Sequence, residues 1–393
     1  MIKKNFLYFF IFCLSISVIA QNEGITGQSK TSNALRYTVA FLTIAPDSRA
    51  SGMGDLGVAT SADAFSLNWN IAKLSDIQGN AGLSLGYTPW LKKLVDDINL
   101  AYLTGYYRLD ENQVFGAGLR YFSLGYLDFT DADGGILKAF RPYEFSLDAG
   151  YSRKLGPLFS IGLTARYIHS NLAGNFTSQQ GGEDMRPGNA LATDLGSYFH
   201  KKIRINDYRG KVSAGLIFSN IGMKMTYSEN NKHFLPMAMK LGGGLSLDLD
   251  NYNALGFYTD LSKLLVPTPG NKWDSTFHGQ NTSVVSAIFR SFYDAPGYKD
   301  GDKVVKGWQE EFQEIMISVG AEYLYSEVLA IRAGYYGEHE RKGNRKYITM
   351  GVGFKLNVLG MDLSYLIPTR GNSPLAHTVR FNLILDLGAM GKN

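Results

Sequence analysis

Cysteine is almost missing from this chain. The single one, Cys13, lies within the first 20 residues. Lys3 and Lys4, the apolar run Phe6–Val18 and the small residues before Gln21 read together as a signal peptide cleaved after Ala20. The h-region is too short to span a bilayer. Phe12 is not the small residue that a lipid-attachment site wants before its cysteine. The expected mature chain (from Gln21 on) then carries no disulfide, although an exported protein could form one. A charge surplus is also lacking. The formal net charge is +4 and falls further without Lys3 and Lys4, which excludes a nucleic-acid binder by charge. No later stretch reaches the roughly 18 uninterrupted apolar residues of a membrane helix.

Recognisable site chemistry is equally sparse. His169, His200, His233, His278, His339 and His377 are scattered, with no metal-ligand spacing. "DADGG" at 131–135 starts like a calcium loop, but Pro142 stands where the twelfth-position Glu belongs. "GGG" at 242–244 is not followed by Lys-Ser or Lys-Thr and marks a bend or a close approach within a strand. In "YIHSN" a strand would send His169 and Asn171 to one face and Ser170 to the other, so these three cannot form a hydrolytic cluster alone. No catalytic residue, metal or cofactor is expected.

What is abundant is glycine and aromatic residues, with 44 Gly, 24 Tyr and 23 Phe. From Asn80 onward, segments of about ten residues alternate with period two. "VFGAGLRYFSLGY" sets Phe115, Ala117, Leu119 and Tyr121 against Gly116, Gly118 and Arg120. "YEFSLDAGY" sets Phe145, Leu147, Ala149 and Tyr151 against Glu144, Ser146 and Asp148. In "INLAYLTGYY" the apolar face is read as Ile98, Leu100, Tyr102 and Tyr106. The segments are 80–88, 97–108, 113–127, 142–153, 158–171, 190–200, 210–220, 236–249, 252–263, 313–325, 328–337, 346–356, 359–367 and 377–388. Many even-numbered connections are short, and five of the seven odd-numbered ones are long. That parity is the pattern of an all-β, up-and-down transmembrane antiparallel barrel of about 14 strands, with tight turns on one side and long loops on the other. Charges on the polar faces (among them Arg120, Asp148, Arg166, Asp194, Asp260, Glu322, Arg332, Asp362 and Arg380) read as braces rather than as a selectivity filter, because both signs occur.

Such a barrel has a lumen too wide for its own side chains. The Gly-, Ala- and Ser-rich stretch 45–78 precedes the first strand. The expected organisation is a signal peptide 1–20, an N-terminal plug 21–79 and a barrel 80–393 with a long outer loop 264–312. Gly52, Gly54 and Gly57 would let the plug turn tightly or approach the wall. In loop 264–312, Val284, Val285, Ile288, Phe289 and Phe292 follow helical spacing after a Ser283 cap. They read either as a docking surface or as packing over the barrel's own mouth.

The stretch "SRASGMGDLGVATSADAFSLNWNIAKL" resembles the N-terminal signature of the FadL-like outer-membrane barrels of the PorV type. Arg49, Ala50, Gly52, Met53, Gly54, Ala59, Ala62, Asn70, Ala72 and Leu74 match, and Ile71 stands where the family usually has Pro. The resemblance implies an integral outer-membrane component of type IX protein secretion. It further implies association with a large translocon barrel of the SprA or Sov type and receipt of secreted proteins through their C-terminal signal domains. Delivery would be to a PorU/PorZ-type attachment complex at the cell surface. Two other readings use the same fold: a FadL-like channel for a hydrophobic small molecule, and a membrane lipid hydrolase.

Overall fold

The computed structural model describes residues 33–91, 97–130, 136–172, 174, 185–228, 232–270, 282–300, 303–369, 375–376 and 378–387. The signal peptide with Cys13, the "DADGG" segment, His278 and His377 lie outside the described residues.

Fourteen strands close into one antiparallel barrel, each paired to its sequence neighbours and the last to the first. They are β1 (Ala81–Pro89), β2 (Ile98–Arg108), β3 (Gln113–Leu124), β4 (Tyr143–Lys154), β5 (Phe159–Asn171), β6 (Gly188–Ile205) and β7 (Tyr208–Gly222). The circuit continues with β8 (Ala238–Asp248), β9 (Asn253–Leu264), β10 (Met316–Tyr325), β11 (Leu329–Gly337), β12 (Lys346–Leu356), β13 (Leu359–Pro368) and β14 (Val379–Asp386). Closure leaves no unpaired edge, which a wall in hydrocarbon requires. Connections 109–112, 155–158, 206–207, 249–252, 326–328 and 357–358 are tight and share one rim. The longer ones share the other rim and carry small structures of their own, such as the hairpins Leu127–Thr130 with Ile136–Phe140 and Met225–Thr226 with Lys232–His233.

Side chains alternate as the period-two pattern demands. Phe115, Leu119, Leu147, Leu163, Leu195, Phe257, Ile331, Met350, Leu363 and Phe381 point outward and are exposed. Arg120, Asp148, Arg166, Asp194, Asp260, Glu322, Arg332, Asp362 and Arg380 point inward and are buried. An apolar exterior around a charged interior is the arrangement of a barrel in lipid. Strand β2 corrects the expected assignment. Leu100, Tyr102 and Tyr106 face inward and are buried, while Leu103 and Tyr107 face out. The physical reason is that both faces of β2 meet apolar groups. Its inner face packs on Phe65 and on the cluster of Leu67, Ile71 and Leu74 from the N-terminal segment, so apolarity alone does not mark its lipid side.

The lipid-facing assignment makes a direct prediction. Leu163→Arg or Val352→Arg places a cation on the outer wall and should cost about 2–4 kcal/mol near mid-bilayer. Urea refolding into lipid vesicles measures it; unchanged stability in both variants would reverse the two faces.

Candidate functional site: the threaded lumen and its outer cap

The N-terminal segment enters at the long-loop rim. There the backbone N–H of Asn33 donates to the Arg341 carbonyl at 2.8 Å, and its side chain donates to Glu310 at 2.9 Å. It leaves at the tight-turn rim, where Arg108 donates to the carbonyls of Ile77 and Gly79 and Lys211 pairs with Asp76 at 2.9 Å. Between these points it folds into short helices, Ala40–Thr43, Ser48–Ser51, Ser66–Trp69 and Ile71–Asp76. Asp47 caps Ser48–Ser51 by accepting from Ala50 N–H at 2.8 Å, and it also accepts the Trp69 indole N–H at 2.5 Å.

The residues of the N-terminal signature lie where this segment meets the wall. Arg49 donates to both carboxylate oxygens of Glu322 at 3.0 Å and to Asp63 at 2.8 Å. Glu322 is shared with Arg332, which also holds Asp362 at 2.6 Å. Gly52 sits against Gly351, where a methyl would meet the Gly351 Cα at 3.1 Å. Gly54 needs its left-handed φ of +82°, and a methyl there would lie 2.5 Å from the Tyr335 carbonyl oxygen. Met53 is fully buried against Gly320 and Gly334; a methyl on Gly334 would sit 2.1 Å from the Met53 carbonyl carbon. The side chain of Asn70 accepts from Ala72 N–H at 3.2 Å and donates to the carbonyls of Val58 at 3.1 Å and Ser197 at 3.0 Å. Ala72 in turn presents its carbonyl to Ser152 at 3.0 Å and Ser160 at 2.7 Å. Ile71 opens the 3₁₀ helix, a position where proline's missing N–H costs nothing. The structure therefore accommodates the family's usual Pro and this chain's Ile alike.

Two more knots brace the interior. Arg166 of β5 bridges Asp148 of β4 at 2.7 Å and Asp194 of β6 at 3.0 Å. Asp260 of β9 accepts the backbone N–H of Gly57 at 2.8 Å and of Val58 at 3.0 Å, bracing the wall to the segment. Cavities remain among the described residues, including one of about 110 Å³ at the mouth between Leu35, Tyr37, Leu264 and Glu314. One of about 420 Å³ opens at the tight-turn rim beside Arg49, Asp63, Tyr106 and Glu322. Another, about 80 Å³, lies on the loop side beside Asp55, Trp69, Lys240 and Tyr347, and shares no lining residue with the one at the tight-turn rim. Ser170 faces inward, donating to Glu144 at 2.6 Å, while His169 faces outward to Asn189.

The outer cap is the connection 265–315. Helix Val284–Arg290 is capped by Ser283, which accepts from Ser286 N–H at 3.2 Å. The five-residue stripe expected here is divided, which is a correction. Val284 and Ile288 pack with buried Ala287 onto the cluster of Phe41, Leu42, Leu265 and Val266 at the mouth. Val285, Phe289 and Phe292 remain exposed, Phe289 by 68%. The cause is angular: the stripe is wider than the groove beneath it, so its two edges face different surroundings. A second helix, Gly307–Gln313, escaped the sequence reading, although Trp308 and Phe312 are four residues apart and oppose Glu310, Glu311 and Glu314. Burial pushes the Asp294 carboxyl in this loop up to about 6. Burial also acts on Glu310, but donors from Lys342 and Asn33 outweigh it and hold that carboxyl below its ordinary range.

Removing the Asp260 carboxylate should loosen the lumen segment. Asp260→Ala leaves two buried N–H donors unpaired, at about 1–3 kcal/mol each. Hydrogen exchange at Gly57 and Val58 should accelerate, while heat-modifiable gel mobility still reports a closed barrel. Unaltered exchange would mean that the clamp carries no stability.

No curated protein sequence matches the chain. Solved structures similar to it include the toluene transporter TodX of Pseudomonas putida, with 12% identity, a TM-score of 0.46 and coverage of 85% of this chain and 95% of that one. The toluene transporter TbuX of Ralstonia pickettii gives 13%, 0.45, and 87% and 97%. A Pseudomonas aeruginosa FadL homologue gives 9%, 0.41, and 86% and 98%. At these scores the likenesses bear on neither substrate nor conductance. The profile of the family described as type IX secretion system protein PorV matches residues 27–271, more than half of the chain, and the chain therefore belongs to that family of outer-membrane secretion proteins, which are not enzymes.

Proposed function

We propose that the protein works as an adaptor in type IX secretion. It associates with the large translocon barrel, receives exported proteins through their C-terminal signal domains, and passes them to the surface attachment complex. One observation carries this reading: the lumen is threaded from rim to rim by the chain's own N-terminal segment, with main chain against main chain at Met53 and Gly334. A folded cargo has no route through such an interior, so the working surfaces lie outside it. Residues 21–79 act as the plug on this reading. The exposed edge of the cap helix, Val285, Phe289 and Phe292, is the docking surface. Burying apolar side chains of this size is worth roughly 1.5–3 kcal/mol each, and three such anchors hold a partner.

Two measurements test the proposal. Intact protein in planar bilayers should conduct little, and steady porin-like conductance would exclude the plug. Val285→Asp, Phe289→Asp and Phe292→Asp together should keep heat-modifiable mobility, because all three are exposed, yet lose translocon pull-down and release of secreted proteins. Ile288→Asp is the contrasting variant. It puts a charge under the cap and should destabilise the loop itself. If the triple variant binds and secretes like the parent, the cap helix is not the docking site.

A further inference from the structure

Helix Gly307–Gln313 lies at the long-loop rim, where its acids reach both Asn33 at the mouth and the outward register of β9. On β9, Ser262 and Leu264 line the loop-side cavity of the lumen, so Lys263 falls on the outward register with Thr259 and Leu261. Yet Lys263 is buried, because Glu311 at 2.9 Å and Glu314 at 2.6 Å cover it. Both carboxylates come from this helix and the residue that follows it. Glu310 and Glu314 also hold Lys342, at 2.7 and 2.9 Å. The helix therefore presents its acids to the barrel. Its other side carries Trp308, 60% exposed, and Phe312, 67% exposed, in edge-to-face contact at 6.2 Å. The hairpin before it adds Val304, paired in register with exposed Lys299, and Lys306 follows. Four residues after the helix ends, Ile317 and then Val319 begin the outward, lipid-facing surface of β10.

We propose that this helix is an interfacial shelf, seating Trp308 and Phe312 in the outer leaflet of the membrane that the barrel spans, with Lys299 and Lys306 toward anionic headgroups. Aromatic residues with flanking cations beside an apolar wall are the composition of a membrane–water interface. The helix's own acids, Glu310, Glu311 and Glu314, are turned inward and do not oppose it. The chain runs from this helix directly into β10, whose outward residues face lipid, and this favours lipid over a protein partner. This differs from the cap helix, whose buried edge lies on the lumen mouth.

Full-length protein reconstituted in nanodiscs containing acyl chains brominated near the glycerol tests the shelf. Trp308→Phe should remove most of the lipid-quenchable tryptophan fluorescence. Phe312→Trp, one turn along the same face, should add to it. Quenching should rise with the anionic fraction of the lipid. The proposal is overturned if Trp308 is instead quenched by acrylamide from water in these discs. It is equally overturned if Trp308 becomes shielded only when a partner protein is added. Quenching that ignores lipid charge would remove Lys299 and Lys306 from the shelf.

Discussion

A closed wall of 14 strands encloses charged side chains that are largely removed from water, and a buried charge persists only when it is paired and hydrogen-bonded. The architecture follows from meeting that condition with a threaded backbone. Arg49 is the clearest case. Its planar guanidinium reaches a wall carboxylate, Glu322, and a carboxylate of its own segment, Asp63, while Arg332 completes the same Glu322. Removing any of these groups would leave another charge largely buried without its partner. The segment's position is therefore fixed by charge geometry as well as by packing, and Asp260 adds a clamp on backbone N–H groups that no side-chain substitution in the segment can replace.

Once a folded segment occupies the lumen, the wall must make room for it. Glycines of the inner face stand where the segment comes closest, such as Gly334 at Met53 and Gly162 at Ala72, where a methyl would lie 2.8 Å from the Ala72 nitrogen. Small residues on the segment meet small residues on the wall, and the two backbones pack almost directly. This explains why residues 45–78 are rich in Gly, Ala and Ser without alternating. The stretch is shaped by contact with a curved surface rather than by strand pairing.

Strand number and loop parity are legible from the sequence because the outward register is apolar in nearly every strand. Phe115, Leu119 and Tyr121 announce their side without help from the interior. Strand β2 is not legible in this way. Its inward Leu100, Tyr102 and Tyr106 are as apolar as its outward Leu103 and Tyr107, because an apolar part of the threaded segment lies against them. Ion-pair partners such as Arg49 with Glu322 are 273 residues apart in sequence, and only the closed fold brings them together. In the cap, helical spacing groups Val284 with Phe289, yet a shallow groove takes one edge of that stripe and leaves the other. Periodicity reports which residues share a side; the width of the receiving surface decides how many of them are covered.

The division of labour in connection 265–315 follows from the same constraint. With much of the interior occupied by its own segment, the readings proposed above place the interaction surfaces on the exterior, and one loop carries two exposed apolar edges that face differently. Its first helix rests an apolar edge on the cluster of Phe41, Leu42 and Leu265 and turns Val285, Phe289 and Phe292 away from the mouth. Its second helix is tied to the outward-facing Lys263 by Glu311 and Glu314, which leaves Trp308 and Phe312 exposed on its other side. On the readings proposed above, the two are coupled through shared supports. Glu311 accepts from Ala295 N–H at 2.7 Å, just beyond the first helix, and Glu310 accepts from Gly297 N–H at 2.8 Å. Those backbone bonds fix the second helix relative to the chain leaving the first. A shelf held in lipid would thus hold the docking edge at a set height above the membrane, where a second outer-membrane barrel lying in the same plane can meet it.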